Sequence, residues 1–247
     1  MGLWCDVLGI GCTNTDANSR QVIVDTSTRY VNKTVDDNGW LRTTGMKGGD
    51  AYLYDFVKVT LLRVSEGRTW FRVEDHPPMK GWELSLKNEN AATYLGVQGP
   101  EASAAELVVT YKGMQYGWYS SARKEYLDQM WAELSFNGDT AYATLNSVWG
   151  GKFTPIPVGE YKIRVPDVAH GKDMTEFYRK AEPGLRYDQV WFPIEYEDNS
   201  RYVHVGNLSE GCVTTATLAK WNALYKYLIS HRAYGGGYVG KLIVQKA

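Results

Sequence analysis

Cysteine is scarce in this chain: there are three, at positions 5, 12 and 212 of 247 residues. There is no CxxC pair and the four histidines are scattered, so the spacing of a metal site is missing and no metal or cofactor is expected. Cys5 and Cys12 lie near enough to pair, and each equally suits a small buried residue. An excess of charge is missing too, with 27 Lys plus Arg against 28 Asp plus Glu. No basic stripe is left to neutralise phosphates, which excludes nucleic acid as an expected partner. No apolar run approaches the ~20 residues of a membrane helix, so no membrane span is expected. The opening MGLWCDVLGIGCTN has no basic stretch ahead of its short apolar one, and Gly9 stands where a lipoprotein signal would carry Leu. On that reading the chain has no Sec signal and is made in the cytoplasm.

Phenylalanine is also rare, at six, but tyrosine reaches 18 and tryptophan nine. Both have an apolar body and a polar tip, which suits half-buried sheets and, more sharply, a groove that stacks on sugars or holds extended peptides. The patterning agrees with a mainly β chain. FVKVTLLRV at 56–64, the turn EGR at 66–68 and TWFRVED at 69–75 form a hairpin signature. Residues 1–104 read as a β-rich amino-terminal module, within which, with GWELS at 81–85, the stretch from about Thr26 to Asn88 resembles a small barrel of the bacterial SH3 type.

The small, polar stretch QGPEASAAE at 98–106 marks the boundary to a second domain, 105–247. There SSARKEYLDQM reads as a short helix over Ser120–Met130, capped by Ser120 or Ser121. AELSF, then Asn137-Gly138, then TAYATL predicts a tight hairpin, because both turn positions need positive φ. EYKIRV alternates as a strand, Lys172–Lys180 reads as one or two helical turns, and QVWFPIEY at 189–196 reads as a strand in which Pro193 argues for an edge or a bulge. A principal helix is expected over about 215–231, packing Leu218, Trp221, Tyr225 and Leu228, with Thr214, Thr215 or Thr217 as its cap.

The chemistry concentrates in HVGNLSEGC. His204 and Cys212 are eight positions apart, with Gly206, Asn207 and Gly211 between them. A loop with two glycines folds back sharply enough to bring base and thiol together. A helix starting behind the cysteine would favour thiolate, and backbone N–H groups near Gly211 and Cys212 would hold an oxyanion. His76, His170 and His231 receive no catalytic role; His231 is expected to interact with the carboxyl end of the last helix.

KFTPIPVGEYKI resembles the TPxGxY stretch of the YkuD-type L,D-transpeptidases, and SEGCV their S-x-G-C-[IV]-R motif. The compact HxGN…GC arrangement also resembles uncharacterised phage and bacterial domains. The resemblance covers roughly the last hundred residues. It implies a β-sandwich catalytic domain with one prominent carboxy-terminal helix, Cys212 as nucleophile, His204 as base, and Gly211 and Ser209 in the catalytic set. Gly206, Asn207 and Thr214 would face substrate, Thr214 standing where the family carries Arg. The implied activity is acyl transfer on peptidoglycan stem peptides in the periplasm or envelope, after delivery by a route other than Sec. Such an enzyme would be a secreted antibacterial toxin or a phage-encoded protein, and for a toxin an immunity protein or a secretion apparatus is a further expected partner. The alternative is a non-catalytic wall-binding or structural module that keeps the fold with a degraded site.

Overall fold

A computed structural model of the chain describes residues 21–23, 26–32, 38–120 and 123–247. Cys5 and Cys12 lie outside the described residues. Strand makes up 47% and helix 16%, a mainly β protein in two sheets. The chain divides into two compact units, Met1–Pro100 and Glu101–Ala247.

In the first unit the strands are β1 (Gln21–Ile23), β2 (Thr28–Val31), β3 (Leu41–Gly45), β4 (Asp50–Leu53), β5 (Lys58–Ser65), β6 (Arg68–Val73), β7 (Glu83–Lys87) and β8 (Leu95–Gly96). A short helix, α1 (Asn88–Tyr94), follows β7. The expected hairpin is β5–β6, turning at Glu66 and Gly67, both with positive φ. Alternation along β5 and β6 sends Val59, Leu61, Phe71 and Val73 to the core. The sheet runs β4-β3-β7-β6-β5-β2-β8, with β1 on β5. Among the described residues this order does not close.

The second unit contains β9 (Ala105–Ser120), β10 (Glu125–Phe136), β11 (Asp139–Asn146), β12 (Gly159–Arg164), β13 (Phe192–Ile194), β14 (Arg201–Val205), β15 (Glu210–Thr215) and β16 (Tyr238–Lys246). They form a closed barrel in the order β10-β11-β15-β14-β13-β12-β16-β9. The expected two packed sheets of a sandwich are therefore replaced by a single sheet that meets itself. Closure depends on the last strand, β16, lying parallel to the first, β9, from Gly240↔Ala105 to Lys246↔Tyr111. Glycine is needed at that seam, because a Cβ on residue 240 would collide with the Ala105 carbonyl.

Two helix expectations change. Where a helix was expected, Ser120 ends β9 and Glu125 starts β10, with Ser121 outside the described residues; the Ser120 hydroxyl accepts the Arg123 N–H at 3.2 Å. The Asn137-Gly138 hairpin forms as expected, with φ of 45° and 77°. The helical turns near 172–180 are a 3-10 turn and α2 (Glu176–Ala181). The principal helix is α3 (Trp221–Ile229), shorter than expected and preceded by a 3-10 turn over Leu218–Lys220. Val213, Thr214 and Thr215 are β-branched and stay in β15, which pairs on both sides. Thr217 accepts the Tyr142 N–H at 2.9 Å instead of capping the helix. Trp221, Tyr225 and Leu228 are buried as expected, while Leu218 is only half-buried. His231 caps the helix's carboxyl end through Nδ1 and the Tyr227 carbonyl, 2.6 Å apart.

Candidate functional site

β14 and β15 are parallel neighbours in the register Val203↔Val213, His204↔Thr214, Val205↔Thr215. Alternation sends Val203, Val205 and Val213 into the barrel, each essentially inaccessible. It turns Tyr202, His204, Cys212 and Thr214 to the barrel's outer face. His204 and Cys212 are thus diagonal neighbours on one face, a placement that long side chains can bridge.

His204 is held at both nitrogens. Nδ1 lies 2.9 Å from the Val205 carbonyl, which can only accept, so the proton sits on Nδ1. Nε2 then accepts from the Thr214 hydroxyl, also at 2.9 Å. Burial pushes the His204 imidazole down to about 4, against the favourable bond to Val205, so it is neutral at pH 7. The Trp191 indole stacks on its ring at 4.2 Å between centroids and 21° between planes. His170 stacks on Trp191 as well, at 3.9 Å and 13°. Asp167 links these layers: it accepts from the Tyr202 hydroxyl at 3.1 Å and pairs with His170 at 3.5 Å. Burial alone would raise the Asp167 carboxyl, but bonds from His170, the Val168 N–H and Tyr202 hold it below its ordinary range.

Cys212 is 8% exposed, and its Sγ accepts the Tyr202 N–H at 3.4 Å. Burial pushes the thiol up to about 11, with the Tyr202 N–H and the Arg201 guanidinium opposing. The expected helix-assisted thiolate is therefore not present in this state: the cysteine lies within β15, and the helix begins well beyond it. Among the described residues no hydrogen bond joins His204 to Cys212; Thr214 occupies the nitrogen that would take the thiol proton.

The other expected site residues shape the turn between the strands. Gly211 has a φ of +80°, and a Cβ there would lie 2.8 Å from the Thr154 carbonyl, so only glycine fits. Its N–H donates to Asn146 Oδ1 at 3.1 Å and is not free for an oxyanion. Ser209 is 2% exposed; its hydroxyl donates to the Cys212 carbonyl at 2.9 Å and its N–H to Ser147 Oγ at 3.0 Å. Asn207 is tied to α2 through Tyr178, whose hydroxyl donates to Oδ1 and accepts the Asn207 N–H, both at 3.1 Å. A side chain at Gly206 would meet that same hydroxyl at 2.9 Å and the Thr214 methyl at 3.2 Å. Thr214 is fully buried. Gly206 and Thr214 are buried and Asn207, one of the three residues expected to face substrate, is half-buried and bonded within the protein.

Four neighbours escape the sequence reading. Asp167, His170 and Trp191 come from loops, while Tyr202 shares the outer alternation with His204 inside RYVHV, a signal that was present. Arg201 is a further one: 3% exposed, it donates to the Thr154 carbonyl at 2.9 Å, pairs with Glu197 at 3.3 Å and lies over the Tyr196 ring. Among the described residues no cluster of His, Cys, Asp and Glu is arranged to hold a metal, and no helix is long and apolar enough to cross a membrane. Comparison of the chain with protein-family models, with curated proteins and with solved structures finds no match. Chemically, the site offers a buried thiol beside a neutral imidazole of fixed tautomer, in a closed arrangement.

Proposed function

We propose that the barrel is a cysteine acyltransferase of the L,D-transpeptidase type, acting on peptidoglycan stem peptides. The observation that carries this reading is the placement of His204 and Cys212 on one outer face, with the His204 proton locked on Nδ1 by Val205. That tautomer leaves the Nε2 lone pair as the base. In the reaction Cys212 Sγ attacks the carbonyl between an L- and a D-centre and its proton passes to Nε2. The C–N bond then breaks, the departing amine takes that proton, and the acyl group remains on sulfur. An incoming amine or water releases it, giving exchange or hydrolysis.

With a thiol at about 11, roughly one molecule in ten thousand carries thiolate at pH 7. Substrate binding must therefore turn the Thr214 hydroxyl away from Nε2 before the dyad works. The same numbers favour a second reading, a non-catalytic module with a closed, inert thiol. One experiment separates the two: intact-mass analysis of Cys212 after carbapenem exposure at neutral pH, with muropeptide chromatography alongside. A stoichiometric adduct, together with loss or exchange of the terminal D-Ala, both absent in Cys212→Ala, is the expected result. Folded, reduced protein that gains no adduct and leaves tetrapeptides intact overturns the reaction in favour of the module.

A further inference from the structure

A cleft of about 370 Å3 opens on the second unit, lined by Gln115, Trp131, Tyr142, Ala216 and Thr217. That volume is within the range of small-ligand sites. Its walls are two rings set edge to face, Trp131 and Tyr142, with centroids 6.5 Å apart and planes at 86°. Tyr142 is 64% exposed, so its ring is offered to solvent. The backbone beneath is rigid: Ala216 and Thr217 donate to the Tyr142 carbonyl, and the Tyr142 N–H donates to the Thr217 hydroxyl. Among the described residues no carboxylate, ammonium or guanidinium lines the cleft, while Gln115 and Thr217 are its neutral polar lining. Aromatic faces with a few neutral polar groups suit a ligand with an apolar C–H face and hydroxyls around its rim.

The cleft is also in line with the candidate site. The register pairs Trp131 with Thr144, Thr144 with Thr214, and Thr214 with His204, one lateral row across β10, β11, β15 and β14. Three strand spacings make that row roughly 14 Å long. Thr144 and Thr214 in the middle of that row are buried, so the row gives a distance and not an open track; an extended peptide of about four residues matches that distance.

We infer that this cleft is a saccharide subsite, stacking a neutral pyranose of a glycan strand on Trp131 and Tyr142 while the attached stem peptide runs toward Cys212. The last clause rests on the acyl-transfer reading; the sugar site does not. The test uses full-length Cys212→Ala protein, which cannot turn over substrate, with two probes: glycan strands stripped of their stem peptides by an amidase, and free tetrapeptide. Calorimetry and co-sedimentation should show the stripped glycan binding, weakened at least tenfold by Tyr142→Ala and by Trp131→Ala, and less by Tyr142→Phe. Because Tyr142 is exposed, its variant keeps the fold and serves if Trp131→Ala does not. Absence of glycan binding, equal binding by Tyr142→Ala, or competition at the cleft by free tetrapeptide alone overturns the inference. Glycan binding by a wild-type protein that leaves muropeptides intact sinks the reaction and leaves the sugar site standing.

Discussion

The two faces of β14 and β15 carry different physics on the same ten or so residues. Inward, Val203, Val205 and Val213 are held by non-directional burial, which tolerates any apolar shape of similar volume. Outward, His204, Cys212 and Thr214 are almost as buried and Tyr202 is half-buried, yet each is held by a named partner. Two residues break the division: Thr215 points inward with its hydroxyl buried and no partner among the described residues, and Arg201, on the same alternation as Val203 and Val205, is held by the Thr154 carbonyl and Glu197. The difference teaches what each face is for. An inner face needs volume, whereas an outer face with this many directional bonds under cover stores a specific arrangement of protons and lone pairs.

The largest expected effect comes from placing a charge on the inner face. Val205→Asp buries a carboxylate with no counter-charge and should cost more than about 4 kcal/mol, enough to unfold the barrel. Loss of the cooperative unfolding transition, read by circular dichroism against urea, is the check; a folded variant would mean the inner face reaches water. Next in size is the pH dependence of the outer face. His204 is neutral in the fold with its imidazole at about 4, against an ordinary 6.5, so its contribution is full above 6.5 and disappears as pH falls toward 4. The loss amounts to roughly 3 kcal/mol. Cys212 has the opposite sign: its thiol is raised from 9.0 to about 11, so its contribution is complete below 9 and is lost as pH rises through 11. Urea midpoints from pH 4 to 11 should fall at both ends, with the acid limb flattened in His204→Gln and the alkaline limb in Cys212→Ala. Unchanged limbs in those variants would show that neither group is buried as described.

These faces were unequally legible in the sequence. Local alternation reveals strands such as RYVHV and EYKIRV, and Asn137-Gly138 reveals its hairpin, because those signals lie within a few residues. The stretch SSARKEYLDQM carries good helix formers, yet from Glu125 onward pairing with β9 overrides that local preference. Barrel closure has no local signature at all: Gly240 and Ala105 meet across more than half the chain. At the site, small residues around His204 and Cys212 mark the turn, and glycine at 211 follows from its backbone. The sign of the thiol's shift was not legible, because it depends on what covers Cys212. The His204 stack is built by Trp191 with His170 behind it, and His170 is paired with Asp167; these residues reach the strands from two loops.

The smallest effect is the most discriminating, because it makes one chemical change at adjacent positions on opposite faces. Thr214→Val removes the hydroxyl that donates to His204 Nε2 and leaves a buried acceptor unmet, so it should destabilise by about 1–2 kcal/mol. Thr215→Val removes a hydroxyl that has no partner to lose, in apolar surroundings, and should be neutral or stabilise by up to about 1 kcal/mol. Urea unfolding of the two variants at pH 7 measures the contrast directly. Thr214→Val has a second consequence that Thr215→Val lacks: with Nε2 released, the imidazole is free to accept from the neighbouring thiol. Iodoacetamide labelling of Cys212 at pH 8 should then be faster in Thr214→Val than in wild type, and this gain should vanish when His204→Ala is added. Slower labelling in Thr214→Val would reverse the role of that hydroxyl, making it a proton carrier between Cys212 and His204 in place of a latch. Equal stability changes at the two positions would erase the division between the faces.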